Sequence, residues 1–406
     1  MNYQTHQLDN GIRMIHLHRE SPVAHCGLII NTGGRDELPD EHGMAHFIEH
    51  VIFKGTGKRK LYHILSRMED VGGDLDAYTT KEDTWIYAAF LNQHYERCME
   101  LISDIVFNSI FPAKEVEKEK VVVIDEINSY RDVPADLIYD DFEDMVFAGH
   151  PLGRSILGCE ESVSSFGVAD IRRFIDRTYT TNQMIVCSVG SMDFGKLCRI
   201  FEKHFSHHRT KERTSSRKKF RSYKPVEKIV NHDTHQAHCI IGNVAYGSLH
   251  PSRLGLLLLS NILGGPGMNS RLNLSLREKY GLVYHVESSY TRYTDTGLWN
   301  IYFGTDKENL DKCNELIRKE LQFLKKNCLG TMQLHRAKQQ MKGQIAISSD
   351  SNANLLFTFG KSYLLYNKVD SLEKVFSMID ELESEKLAGI ANEIFDESMI
   401  SKLIYL

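Results

Sequence analysis

The sequence predicts an α+β protein built from two structurally similar domains, each a mainly antiparallel sheet packed with helices. Length is the first reason: 406 residues correspond to two or three domains at roughly 100–200 residues each. The second is the arrangement of segments. Strand-like stretches come in adjacent pairs followed by helices, rather than alternating strictly with them, which disfavours a doubly wound parallel sheet. The third is repetition, since the order of elements in the first half recurs in the second over roughly 180 residues, the mark of a duplication.

Reading in order, "GIRMIHLHRE" alternates and ends at a turn, and "AHCGLIINTGG" follows as a β-rich run. A helix is expected from Glu41 to Phe53 and another from Tyr62 to Val71, stopped at Gly72-Gly73. "DAYTTKEDTWIYAAFL" has strand composition, and "QHYERCMELISDIVFN" is an amphipathic helix. Pro112 opens a long helix, "PAKEVEKEKVVVIDEINSYRD", because proline suits a first helical turn. "VADIRRFIDRTY" then reads as helix and "NQMIVCSVG" as strand. In the second half, "AHCIIGNVAYG" is β-rich and "HPSRLGLLLLSNILGG" is a helix. The strands "GLVYHVESSYT" and "GLWNIYFGT" follow, then the helices "KENLDKCNELIRKELQFL" and "TMQLHRAKQQMKGQIAIS". The helix "SEKLAGIANEIF" leads to a last strand, "SMISKLIYL". The polar, basic stretch 207–228 reads as a linker, dividing the chain into domains at 1–206 and 229–406.

Composition narrows the function classes. Net charge is −5, so no global basic balance points to nucleic acid. The linker's basic run has only Phe220 and Tyr223 among its charges and no amphipathic face, so it is not read as a nucleic-acid or lipid patch. The eight cysteines are scattered without a Cys-x-x-Cys pair, as expected for reduced thiols in a cytoplasmic protein. The N-terminus has no apolar h-region, and no run approaches the length of a membrane span, so no secretory signal and no membrane partner are expected.

The stretch "DEHGMAHFIEHVIFKGTGKR" contains His46 and His50 four apart, with Glu49 just before the second. On a helix the two imidazoles share a face and can hold one Zn²⁺. Glu49 projects to the same side, where a carboxylate can take a proton from an activated water. The order inverts His-Glu-x-x-His and matches the inverzincin signature. A charged helix rich in histidine, with His42 one turn earlier, would give the same pattern. A catalytic zinc usually takes a third protein ligand. The helix containing Glu115, Glu117, Glu119 and Glu126 is dense in carboxylates. Glu126 stands out because it follows the apolar run "VVVI" and needs a buried partner there.

At this point the sequence resembles the pitrilysin family of zinc peptidases, in the short-subunit branch similar to mitochondrial processing peptidase. The matching stretches are "NTGGRDE", "GMAHFIEHVIFKGTGKR", "GGDLDAYTTKEDTWIYAAF", "EKEKVVVIDEI" and "HPLGRSILG", in the family's order from Asn31 to Gly158. The resemblance implies the metallohydrolase fold of processing-peptidase type and one Zn²⁺ per chain. It selects Glu126 as third ligand and makes Glu119 a carboxylate that orients a ligand. The same donors also suit Mn²⁺ or Co²⁺.

The second half has no ligands on its corresponding helix, but "LGGPGMNSRLNLSLREKYGLVYHV" resembles the family's glycine-containing loop followed by an Arg/Tyr pair. Read alone, Arg277 belongs to a charged helix and Tyr284 to a strand core. The resemblance makes them donors to the oxyanion that develops during peptide hydrolysis, and Gly264, Gly265 and Gly267 substrate contacts. It also implies that Ala77, Tyr78 and Thr79 form an edge strand on which an extended substrate adds. Asp76 stands where many relatives have Asn. Because this chain has both residue sets, the resemblance implies a homodimer in which each subunit completes its partner's site. The expected function is therefore zinc metalloendopeptidase acting on peptides or unfolded segments. The alternatives are a catalytically silent assembly subunit of the same family and a metal-dependent hydrolase of non-peptide substrates.

Overall fold

The computed structural model describes residues 2–232 and 234–406. Eleven strands among them form two sheets: β1 (Tyr3–Gln7), β2 (Arg13–His18), β3 (Val23–Ile30), β4 (Asp74–Thr79), β5 (Thr84–Leu91) and β6 (Met184–Gly190) in the first, and β7 (Glu227–Val230), β8 (Ala237–Ala245), β9 (Val283–Arg292), β10 (Gly297–Thr305) and β11 (Ser401–Tyr405) in the second. The orders are β1-β2-β6-β3-β5-β4 and β7-β11-β8-β10-β9. Without β1 they superimpose strand for strand in connectivity. Each has one parallel pair, β2 with β6 and β7 with β11, and antiparallel pairs elsewhere. The α+β class and the duplication are thus as the sequence predicts.

The chain divides into two compact units that are not contiguous in sequence. Unit 1 is 1–128, 154–218 and 347–371, and unit 2 is 129–153, 219–346 and 372–406. The division expected from the sequence differs from these units by two helices. Pro134–Val146 belongs to unit 2, where Ile138, Phe142 and Val146 pack against Ile240, Leu298, Leu403 and Tyr405. Asn352–Tyr366 belongs to unit 1, where Leu355, Leu356, Phe359 and Tyr363 pack against Ile29, Trp85, Ile185 and Cys187. Each half of the chain therefore covers one face of its own sheet and lends a helix to the sheet of the other half. The reason is apolar: both faces of each sheet carry large aliphatic and aromatic side chains, and each must be covered.

The basic stretch expected to be a linker is more ordered than that word implies. In unit 1, Arg213 and Arg217 bind the buried Asp36, and Arg217 also reaches Glu82 at 3.6 Å. In unit 2, the Phe220 ring lies against Phe147 at 4.9 Å. Its positive charge neutralises buried carboxylates, so here it is structural.

Candidate metal centre

The motif helix is short, Met44–Val51, and is held at its start by several contacts. Gly43 has φ +91°, and a Cβ there would lie 2.6 Å from Gly158 Cα. The two glycines, from separate motifs, let the backbones touch. Glu37 is buried and accepts from the N–H groups of Gly43 and Ala45, both at 2.9 Å, satisfying donors that the first helical turn leaves free. Burial pushes its carboxyl up to about 8, against the two N–H donors and Arg154. Beside it, Arg35 pairs with Glu82 at 2.6 Å. Arg35, Asp36 and Glu37 of "NTGGRDE" thus build the platform from which the helix starts, a role that no local pattern in the sequence reveals.

His46 and His50 lie one turn apart with ring centroids at 4.6 Å. Across from them runs the helix Ala113–Arg131. Glu126 Oε1 is 3.7 Å from His46 Nε2, and its Oε2 is 3.3 Å from His50 Nε2. One ligand atom from each of the three residues lies within 4.8 Å of the others, a spacing that one ion coordinated at about 2.0–2.2 Å can bridge. Both Nε2 atoms face Glu126, and a pair of imidazoles with a carboxylate is a donor set that zinc accepts. Burial and the adjacent His50 push His46 down to about 3, so it is neutral and able to ligate. For His50, burial lowers the pKa, but the carboxylates of Glu119 and Glu126 outweigh it and raise it.

Glu119 lies beside His50. Its Oε1 is 3.1 Å from His50 Nδ1, so two carboxylates bracket one imidazole. Burial would raise its pKa, but His50 and Lys54 hold it below the usual range. Glu126 does not lie in the apolar setting expected from the run that precedes it. Its side chain is 43% exposed, and Val121 and Val122 of the preceding run are 60% and 50% exposed. The helix buries only Val116, Glu119, Val123 and Ile127, and Glu126 borders that stripe. His42 takes no part at the centre and instead bonds the Ser155 carbonyl at 2.9 Å.

Glu49 is half-buried beside the donors. Burial raises its pKa; Thr79 and His50 oppose this, while Glu126 and Asp76 add to it. The motif helix lies against β4, an outermost strand with β5 as its one partner. The phase of that pairing decides which backbone groups are free. Thr80 N–H bonds Asp83 O at 2.8 Å, closing the hairpin. Bonded pairs recur every second residue, so Tyr78 and Asp76 direct their backbone groups to β5. Leu75, Ala77 and Thr79 face the open edge. In agreement, Ala77 N–H bonds the Asp76 carboxylate at 2.8 Å. Of the three expected backbone contacts, Tyr78 is therefore corrected: its side chain packs near Trp85 and Phe357, and its backbone is already paired.

In unit 2, the remaining expected residues come together. Gly264, Gly265, Gly267, Arg277 and Tyr284 line one cavity of about 340 Å³, with Ser270 and Glu287. A widened, π-type helical turn, Asn273–Lys279, presents Arg277, whose guanidinium lies 5.4 Å from the Tyr284 ring centre. Tyr284 is 83% exposed, so it is no strand-core residue. The helix that follows β8, Arg253–Gly264, contains no metal-ligating side chain.

Comparison with known proteins places the chain in a family. The insulinase (peptidase family M16) profile matches residues 13–160, and the peptidase M16 inactive domain profile matches 165–341. An uncharacterized zinc protease of Bacillus subtilis, YmxG, is 32% identical over 97% of this chain and 96% of its own length. An uncharacterized zinc protease of Rickettsia felis is 30% identical over 99% and 97%. Among solved structures, a protease from Helicobacter pylori superimposes with a TM-score of 0.91 at 22% identity, covering 100% of this chain and 99% of the other. The peptidase M16 inactive domain from Pseudomonas fluorescens gives 0.92 at 20%, covering 100% and 98%. Both structures share the fold, and the extent and identity of the sequence matches go further: this chain belongs to the M16, or pitrilysin, family of peptidases.

Proposed function

We propose that the chain is a zinc-dependent metalloendopeptidase that hydrolyses peptides or unfolded segments in a chamber formed by two copies. The observation that carries this reading is the convergence of His46, His50 and Glu126, with Glu49 beside them and an open strand edge next to their helix. When bound, the ion supplies polarisation of the scissile carbonyl and acidifies a water. The chain's own residues do the rest. The edge groups of Ala77 and Thr79 align an extended peptide by main-chain hydrogen bonds. Glu49 accepts the proton from the attacking water at its carboxylate and returns it to the leaving amine. Arg277 and Tyr284, contributed by the second copy, stabilise the charge that develops on the carbonyl oxygen.

A silent assembly role is the competing reading, and the name of the inactive-domain profile does not favour it. That match covers 165–341, whereas every proposed ligand lies within the 13–160 matched by the peptidase profile. The test is hydrolysis of a quenched, unstructured peptide by zinc-loaded protein beside Glu49→Gln. The expected result is zinc retention by the variant with kcat lower by about 10²–10⁴-fold. Zinc binding without cleavage by either protein, across a broad peptide library, would establish the silent role instead. A closed chamber also implies poor cleavage of a native globular protein.

A further inference from the structure

We propose that Lys54 is a positioning residue of the metal centre, acting on His50 through Glu119. Lys54 lies just beyond the motif helix, one turn past His50 in sequence spacing. Its Nζ is 2.7 Å from Glu119 Oε2, while Glu119 Oε1 is 3.1 Å from His50 Nδ1. The three groups form a line, ammonium to carboxylate to imidazole, and the line ends at the ring whose Nε2 faces Glu126 at 3.3 Å. This inference rests on the metal-centre reading above.

The geometry separates this role from surface charge balance. Both partners are shielded, with side-chain exposures of 21% for Lys54 and 9% for Glu119. An exposed pair would hold neither group in place. A carboxylate anchored by one histidine alone can pivot about its Cγ–Cδ bond. Lys54 fixes the second oxygen, so the first stays directed at Nδ1. That contact fixes the ring orientation, keeping Nε2 rather than Nδ1 toward the other donors. A partner outside the ligands that orients a ligating histidine typically affects metal affinity by about 10–100-fold. The sequence places Lys54 inside the motif stretch, but its role depends on a contact 65 residues away in the chain (119 − 54), which no local pattern reveals.

The test is a double-mutant cycle read by zinc affinity. The Kd for zinc is measured by competition with a chromogenic chelator on the full chain, for wild type, Lys54→Met, Glu119→Gln and the double variant. The ¹⁵N shifts of the His50 ring are recorded in parallel. Each single variant is expected to bind zinc about tenfold more weakly, and the double variant no more weakly than Glu119→Gln, because both act on one line. In Lys54→Met the His50 shifts should lose the signature of a proton fixed on Nδ1. Lys54→Arg restores the charge and should recover most of the affinity, which also controls for misfolding. Wild-type affinity in Lys54→Met, or additive losses in the double variant, would overturn the proposal while leaving the centre intact. Failure of wild type to take up zinc would instead overturn the centre and this inference with it.

Discussion

The exchanged helices make a sharp stability prediction at Gly360. This glycine lies in the helix Asn352–Tyr366 against the sheet of unit 1. A Cβ added there would sit 2.3 Å from Trp85 Cη2 and 2.6 Å from Cys187 Sγ. Two effects of Gly360→Ala oppose each other. Helix propensity favours alanine by about 1 kcal/mol. Overpacking costs about 1–3 kcal/mol when neighbours can shift, and here they are poorly able to. Trp85 is fully buried, its Nε1 donates to Asp83 Oδ1 at 3.2 Å, and Phe357 packs edge-on at 5.1 Å. The cost therefore lies at the upper end of that range, leaving a net loss of about 2 kcal/mol. Gly343→Ala is the internal control. Gly343 lies in the helix Thr331–Ser348, and an added Cβ meets nothing within 4 Å. There the propensity gain stands alone, about 0.5–1 kcal/mol of stabilisation. The assay is urea unfolding at constant m-value: the midpoint should fall for Gly360→Ala and rise for Gly343→Ala. A Gly360→Ala protein as stable as wild type would refute the close seating of this helix on Trp85, and with it the reason given for the exchange.

Glu37 should make stability pH-dependent. Its folded pKa is raised from 4.5 to about 8 by burial, so the folded state holds an extra proton between those values. Its contribution is fully present below about pH 4.5 and is lost as pH rises toward 8. The whole span is worth a few kcal/mol, to order of magnitude. Glu37→Gln should lack that slope, so the difference between variant and wild-type stability should change between pH 4.5 and about 8, and a parallel pair of stability–pH curves would count against the assignment. Zinc at about 100 times its Kd should stabilise the wild type by about 2.7 kcal/mol, seen as a rise in Tm that a chelator reverses. His46→Ala should show no such rise. On the open edge, Ala77→Pro removes an N–H that faces away from β5, so it should raise KM for peptides with little loss of stability. Tyr78→Pro removes a ladder bond and should unfold the edge, and equal stability losses for the two would contradict the assigned phase.

Much of the candidate metal centre was legible because its geometry is local. His46, Glu49 and His50 occupy one helical turn and a third, and helical geometry alone puts them on one side. Glu126 needed the family resemblance, since its burial argument failed: an apolar run of four can lie across a helix rather than along its buried stripe. Lys54 and Glu37 were missed because each acts through a contact made only on folding. The exchanged helices were missed for a related reason. Pro134–Val146 and Asn352–Tyr366 follow long helices in the chain, and nothing in a local pattern says which sheet a helix will cover. Tyr78 shows the limit from another side. Composition identified the strand and the family resemblance made it an edge, but the phase of pairing, set by the Thr80–Asp83 closure, decides which residues offer their backbone.

The duplication explains how one fold came to hold two different sites. In unit 1, the helix following β3 starts at a glycine with positive φ and presents His46 and His50. In unit 2, the helix following β8 presents leucines instead and ends in Gly264 and Gly265. A Cβ on Gly264 would lie 2.5 Å from Ser288 N, so the end of the helix presses on β9, the strand that corresponds to β4. The same scaffold position is thus filled by donor side chains in one copy and by close backbone packing in the other. Where the helix carries donors, the neighbouring edge strand runs past the candidate metal centre. Where it ends in glycines, the neighbouring edge strand closes a cavity rimmed by Arg277 and Tyr284. Transplanting His46, Glu49 and His50 onto the helix Arg253–Gly264 should therefore fail to create a second centre. Unit 2 has a long helix, Thr331–Ser348, where unit 1 has Ala113–Arg131, but "TMQLHRAKQQMKGQIAIS" contains no carboxylate to serve as third ligand. Tight zinc uptake at two sites per chain by such a variant would refute this account of the division.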